Sequence, residues 1–229
     1  MATLLDEIGQ TAKAAGLAVY GGFHPGSEDG APAGAATIVM LGYSGPDMWR
    51  HFSAAPEAGD GAPDPLDRWS RRVIEAIADD LGCAAAFPFG GSPYPPFLRW
   101  AAKAAPVWPS PLGMMIHADY GLWASWRGAL VFREVLPLGG RSPAVRPCDT
   151  CRDRPCLAAC PVKAFTADGY DDAACIDHIA SAEGDDCMAR GCLARRACPI
   201  GRSLAHVPAQ AAFHMGAFLT AGRRRYPPK

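Results

Sequence analysis

The stretch Cys148-Asp149-Thr150-Cys151-Arg152-Asp153-Arg154-Pro155-Cys156-Leu157-Ala158-Ala159-Cys160-Pro161 decides how the rest of the chain is read. A looser group follows it, Cys175, Cys187, Cys192 and Cys198-Pro199, so that eight of the nine cysteines fall between residues 148 and 198. The ninth, Cys83, is read as a buried free thiol without a role. Around this stretch the composition is that of a soluble globular protein: 229 residues, 49% hydrophobic and 20% charged. A net charge of -1 gives no general attraction for nucleic acid or an anionic membrane. No run of 18 apolar residues is present, so no membrane span is expected. Asp6 and Glu7 stand where a signal peptide would have its apolar stretch, and a cytoplasmic location is expected. Thiols there stay reduced, so clustered cysteines point to metal ligation ahead of disulfides.

The chemistry of that ligation is carried by spacing. Cys148 and Cys151 form one tight Cys-x-x-Cys turn, and both Cys160 and Cys198 are followed by proline. In bacterial ferredoxins with two iron–sulfur clusters, the fourth cysteine of a run precedes proline and ligates the other cluster. On that crossing pattern Cys148, Cys151, Cys156 and Cys198 hold one [4Fe-4S] cluster, and Cys160, Cys175, Cys187 and Cys192 hold a second. The intervals between Cys151 and Cys156, and around Cys187, exceed the ferredoxin spacing and are read as loop insertions; they leave the second ligand set and its nuclearity open. Two structural zinc ions are the competing reading. Zinc does not call for Cys-Pro at both run ends, and its sites usually use paired Cys-x-x-Cys turns, of which one is present here.

Asp171-Asp172-Ala173-Ala174-Cys175-Ile176-Asp177-His178-Ile179, following Cys160-Pro161-Val162-Lys163-Ala164-Phe165, resembles the ferredoxin module of epoxyqueuosine reductases. The resemblance implies that Cys175 belongs to the second cluster and that the module serves a cobalamin on a preceding domain. The sequence has no helical-repeat region after the module and is not basic, so tRNA is not expected as substrate and no nucleic-acid partner is expected.

Upstream of the cysteines the periodicity is mixed. Leu4, Leu5, Ile8, Ala12 and Ala15 recur at helical spacing before Gly16. Leu17 to Tyr20 and the continuous apolar run Ala35 to Tyr43 read as strands, the latter buried. Asp64-Pro65 opens a helix with Leu66, Trp69, Val73, Ile77 and Leu81 on one face. Phe87 to Pro96 is aromatic- and proline-rich and either lines a flat pocket or caps a core. A helix is expected from Phe97 to Ala105 and a strand from Gly128 to Leu136. A polar Gly/Pro segment, Gly139 to Pro147, is the expected domain boundary. The expected terminal helix runs from Pro208 to Ala221, with Arg223 to Arg225 just beyond its end.

His117-Ala118-Asp119-Tyr120-Gly121-Leu122-Trp123-Ala124-Ser125-Trp126-Arg127-Gly128 resembles the His-Pro-x-aromatic-Gly-Gly-Trp-Phe-Ala-x-Arg-Gly motif of the CblC family of cobalamin-processing proteins. Ala118 replaces the proline and Leu122 the second glycine. Ala36 to Met40 with Gly45-Pro46-Asp47-Met48-Trp49, and Asp64-Pro65-Leu66-Asp67, resemble further segments of that family in matching order. The resemblance implies an α+β, nitroreductase-related domain over residues 1–140 that holds a base-off corrinoid, followed over 141–229 by a small ferredoxin-like domain with two iron–sulfur clusters. By the same resemblance His117, Tyr120, Gly121, Trp123 and Arg127 form the corrinoid pocket, with Arg127 able to fork onto a carboxylate or phosphate. The expected activity is the passing of single electrons from the clusters to a cobalamin or other corrinoid, fed by an external low-potential donor. A ferredoxin-type carrier without corrinoid, and a reductase of an organic substrate, are the alternatives.

Overall fold

Thr37–Ser44 is apolar at nearly every position, and a strand of that kind is stable only when covered on both faces. In the computed structural model, which describes residues 4–139 and 143–227, Ile38, Val39, Met40 and Leu41 are all fully buried. In chain order the elements are α1 (Leu4–Ala14), β1 (Ala18–Phe23), β2 (Thr37–Ser44), α2 (Asp47–Ser53), α3 (Pro65–Asp80), β3 (Ala84–Ala86), α4 (Phe97–Ala104), β4 (Val107–Pro109), β5 (Met115–His117) and β6 (Ala124–Phe132). There follow α5 (Pro147–Thr150), α6 (Pro155–Ala158), β7 (Phe165–Thr166), β8 (Gly169–Tyr170), α7 (Asp172–Ile179), α8 (Asp185–Arg190), α9 (Leu193–Ala197) and α10 (Pro208–Arg225). No helix among the described residues is long and apolar enough to cross a membrane.

The chain divides into two compact units, one of residues 1–107 and 124–144, the other of residues 108–123 and 145–229. Part of the expected boundary segment, residues 140–142, lies outside the described residues. The segment 108–123, which carries His117, clusters with the cysteines.

The first unit is an antiparallel sheet in the order β1-β2-β6-β3. Helix α1 packs on β1 and α3, α3 on β3 and β6, and α4 on β1 and β2. Pro65 sits in the first turn of α3, where its missing N–H costs nothing. The buried face of α3 is Leu66, Trp69, Ser70, Ile74, Ile77 and Ala78, which corrects the expected stripe: Val73 and Leu81 are only half-buried. The helix turns this way because Ile74 lies over Gly128 of β6, where a Cβ would come within 2.7 Å of the Ile74 Cδ1. Strand β6 also begins earlier than expected and ends at Phe132 rather than Leu136.

Two bulges break the ladders. Tyr20 is the extra residue where Val19 pairs Leu41 and Gly21 pairs Met40. Arg127 is the extra residue where Gly128 pairs Leu41 and Trp126 pairs Gly42. A bulged residue is re-aimed out of the strand's alternation. Tyr20 uses this to donate its hydroxyl to the Tyr43 carbonyl at 2.6 Å, with its ring 5.6 Å from that of Trp126.

The second unit is made of short helices around the cysteines, the β7–β8 hairpin and the long α10. Helix α10 packs on α7 and α8 around Ile176, Ile179 and Cys187. It runs four residues past the expected end, and its arginines are in its last turn rather than beyond it. Arg223 reaches Asp177 at 2.7 Å and Arg225 reaches Asp172 at 3.2 Å, so two cations of the run are held by α7.

Candidate functional site

Prolines and helix ends set the positions of the eight cysteines. Pro147 opens α5, which carries Cys148, and Cys151 follows directly at its C-terminal end. Pro155 opens α6, which carries Cys156, and Cys160 lies just beyond it. Cys175 is on α7 and Cys187 on α8; Cys192 and Cys198 cap the two ends of α9. Short helices broken by proline turn the chain often enough to bring sulfurs from distant positions to one place.

The result is two separate groups of four thiols. Cys148, Cys151, Cys156 and Cys198 line a cavity of about 250 Å³ with Pro111, Ile116, Pro147, Pro155, Pro199 and Ile200 among its walls. Cys160, Cys175, Cys187 and Cys192 line a tighter cavity with Val162, Phe165, Ile179 and Leu193. Burial pushes the thiols of Cys148, Cys156, Cys175, Cys192 and Cys198 up from the ordinary range. For Cys148 and Cys156 the neighbouring thiols of the first group add to that; for Cys175 and Cys192 those of the second group do. Four thiolates brought together in apolar walls repel one another and need a cation or a cationic inorganic core among them. Among the described residues no group of three or more His, Cys, Asp or Glu side chains is placed to hold a metal ion. Four-thiol donor sets are the chemistry of iron–sulfur clusters and of structural zinc alike. The β7–β8 hairpin presents the Tyr170 ring, stacked 4.8 Å from that of Phe165, and the Tyr170 hydroxyl offsets part of the rise that burial imposes on the Cys175 thiol.

The residues of the His117 motif are placed differently from one another. His117, Tyr120, Gly121 and Trp123 are in the cysteine-bearing unit, and Arg127 is in the sheet-bearing unit. His117 and Gly121 exchange both backbone hydrogen bonds, at 2.8 and 3.1 Å, closing a tight turn. The buried imidazole organises that turn: its Nδ1 accepts the amide N–H groups of Asp119 at 3.1 Å and Tyr120 at 3.3 Å, and its ring stacks 4.3 Å from that of Tyr120. Gly121 has φ +59, and a Cβ there would lie 2.1 Å from the Ile200 carbonyl oxygen. Arg127, aimed by its bulge at α3, donates from Nε to the Ser70 hydroxyl at 2.9 Å and pairs with Asp67, and its guanidinium lies 5.1 Å from the Phe89 ring. Phe87 is buried beneath the Arg71 guanidinium at 4.6 Å, so the first part of the aromatic and proline-rich stretch packs on α3, while Tyr94 is exposed.

Trp123 has neighbours that the motif gave no hint of. The Arg195 guanidinium lies 4.3 Å over its ring while Arg195 Nε donates to the Leu122 carbonyl at 3.0 Å. His206 meets the same ring edge-on at 5.1 Å, and His214 lies a further 5.1 Å from His206. Burial, followed by the Arg195 charge and His214, pulls the His206 imidazole down to about 2, so it stays neutral at physiological pH. These residues line a third cavity, of about 350 Å³, that also touches Cys175 and Cys192. No local pattern ties Trp123 to Arg195 or His206; the one usable signal was that Arg195 lies between two of the clustered cysteines.

No protein-family model matches the chain, and no curated protein matches it. Among solved structures, epoxyqueuosine reductase from Streptococcus thermophilus superposes with a TM-score of 0.53 at 15% identity, over 89% of this chain and 68% of that one. Epoxyqueuosine reductase in complex with an epoxyqueuosine-modified tRNA-Tyr stem loop gives 0.52 at 15% identity, over 90% and 68%. The B12-trafficking protein CblC of C. elegans gives 0.52 at 13% identity, over 95% of both chains. At these identities the likeness is one of fold: this is a mixed α+β protein similar in structure to CblC and to epoxyqueuosine reductase.

Proposed function

We propose that the chain is an iron–sulfur redox protein that passes single electrons from two [4Fe-4S] clusters to a cobalamin or other corrinoid. The observation that carries the reading is the separation of eight cysteines into two four-thiol cavities, Cys148, Cys151, Cys156 and Cys198 in one and Cys160, Cys175, Cys187 and Cys192 in the other. In this reading those thiolates are the cluster ligands, and Cys160-Pro161 and Cys198-Pro199 are the crossing ligands of a two-cluster ferredoxin. In this reading residues 1–140 supply the corrinoid-binding part and 141–229 the ferredoxin-like part, with residues 108–123 of the former clustering with the cysteines. Apolar side chains line both sets of thiols, and the Tyr170 hydroxyl favours the charged form of the Cys175 sulfur, which in this reading steadies the more negative, reduced state. A corrinoid supplies a cobalt centre that accepts single electrons and exchanges its upper ligand. Trp123 of the motif lines a cavity with Cys175 and Cys192 of the second thiol group. His117 and Gly121 build the turn that leads to it, and Arg127 holds β6 to α3.

The likeness in fold to epoxyqueuosine reductase, over 90% of this chain, favours a second reading, reduction of a modified nucleoside in RNA. The net charge of -1 weighs against a polyanionic partner. Iron and acid-labile sulfide are to be counted on anaerobically purified protein, and cobalamin then titrated into it. Clusters with a corrinoid spectrum that changes on binding support the first reading. Clusters with no corrinoid affinity leave a carrier or the nucleoside reductase, separated by binding to a modified stem loop. A colourless protein with stoichiometric zinc overturns both.

A further inference from the structure

We propose that the cavity of about 350 Å³ around Trp123 is a binding site for a planar bicyclic aromatic compound bearing an anionic or quinone oxygen. Trp123, Phe165, Tyr170, His206, His214 and Phe218 contribute to its walls, together with Met114 and Met215. Flat, polarisable walls of this kind favour a flat conjugated ligand, by stacking and by sulfur–aromatic contact. The polar side is of one sign. Arg190 and Arg195 line the cavity, and no aspartate or glutamate is among the described residues that do. Arg190 is 64% exposed and keeps only a 3.3 Å pair with Asp186, so its guanidinium can swing to a ligand at little cost. The indole N–H of Trp123 is buried with no hydrogen-bond partner among the described residues, a donor that an acceptor atom would satisfy.

The volume sets the class. It is near the low end of small-molecule sites, which run from about 300 to 1,000 Å³, and holds one fused-ring system rather than a whole corrinoid. Its position gives such a compound a use, because Cys175 and Cys192 are in the wall and the ring would lie against the second thiol group. The site stands on the cavity and its side chains and is independent of what the thiols hold.

The probe is 2-hydroxy-1,4-naphthoquinone, which is bicyclic, flat and anionic at neutral pH. It is titrated into the anaerobically purified full chain, with iron counted on the same sample, and read by calorimetry and tryptophan quenching. One saturable site per chain is expected. Met114→Trp, which fills the cavity, should weaken binding by about tenfold or more, and Arg190→Gln, at an exposed position, by about threefold to tenfold. Naphthalene, which lacks the oxygens, should bind at least about tenfold more weakly than the probe. Absence of saturable binding, or binding that neither variant alters, overturns the site. Loss with Met114→Trp but none with Arg190→Gln overturns the anionic assignment. Binding by an iron-free sample leaves the site standing and defeats the cluster reading, whereas clusters without binding do the reverse.

Discussion

Gly121 and Gly201 are each held to glycine by the other's stretch of backbone. A Cβ on Gly201 would stand 2.4 Å from the Tyr120 carbonyl oxygen, and one on Gly121 would stand 2.1 Å from that of Ile200. Both have positive φ, +59 at Gly121 and +69 at Gly201. The contact seats the His117 turn against the chain that has just left Cys198-Pro199, and this packing by itself requires glycine at 121.

Gly121→Ala and Gly201→Ala should therefore each destabilise the protein by about 2 kcal/mol or more, from strain at positive φ together with a backbone collision. Gly113→Ala supplies the comparison: its φ is +74, but nothing lies within 4 Å of its added Cβ, so it should cost about 1 kcal/mol. Urea unfolding of the three variants measures this, and equal losses in all three would show that the close approach contributes nothing.

Cys151→Ala and Cys187→Ala each remove one thiol from a different group of four. The unaltered protein should carry about eight irons if both groups hold cubane clusters. Each single substitution should lower the count by up to about half, and the two losses should add in the double variant. A single substitution that empties both groups would show that the two do not assemble independently.

Arg127 makes its hydrogen bond and ion pair to Ser70 and Asp67 of α3. Arg127→Ala should cost about 2 kcal/mol, with coupling to Asp67→Ala of about 1 kcal/mol in a double-mutant cycle. Its side chain is only 13% exposed and that of Asp67 35%, so the pair is worth more than a surface bridge and less than a sealed one. Iron content should be unchanged. Loss of metal on this substitution would give Arg127 a part in the cysteine-bearing unit.

His206 gives the stability a signature in pH. Its imidazole stays neutral in the folded chain down to about 2 but takes a proton near 6.5 when unfolded. Below that upper value the unfolded state binds more protons, so stability falls as pH falls, by up to about 1.4 kcal/mol per unit, and is fully present above it. His206 contributes this slope from pH 6.5 to 4.5, whereas carboxylates such as Glu57, held low by its hydrogen bonds to Arg72, begin to lose their share only below 4.5. His206→Phe should flatten unfolding free energy across that range. An unchanged slope would place the dependence elsewhere.

Much of the sheet-bearing unit was legible because burial writes itself into runs and periods. The apolar run at residues 35–43 contains all of β2 but its last residue, and Asp64-Pro65 does open α3. The α3 face was misjudged because periodicity alone cannot tell Val73 from Ile74; the bareness of Gly128 on the neighbouring strand decides it. Strand β6 was placed late because a strand interrupted by Arg127 does not read as one until the bulge is known. In the cysteine-bearing unit the thiols stood out, since spacing is where ligand chemistry is encoded. Their short helices did not, being set by prolines and caps rather than by a periodic face. The Trp123, Arg195 and His206 cluster joins residues far apart in sequence, and no local pattern carries it.

The assignment of residues 108–123 to the cysteine-bearing unit means that the chain passes from one unit to the other three times. Neither unit is then a contiguous fragment. A piece ending near residue 107 would lack β6, the strand that joins β2 to β3, and a piece beginning near residue 145 would lack the Gly121 turn and Trp123. The two parts are laced by a single thread, and separating them for study would require new termini and a rejoined backbone rather than a truncation.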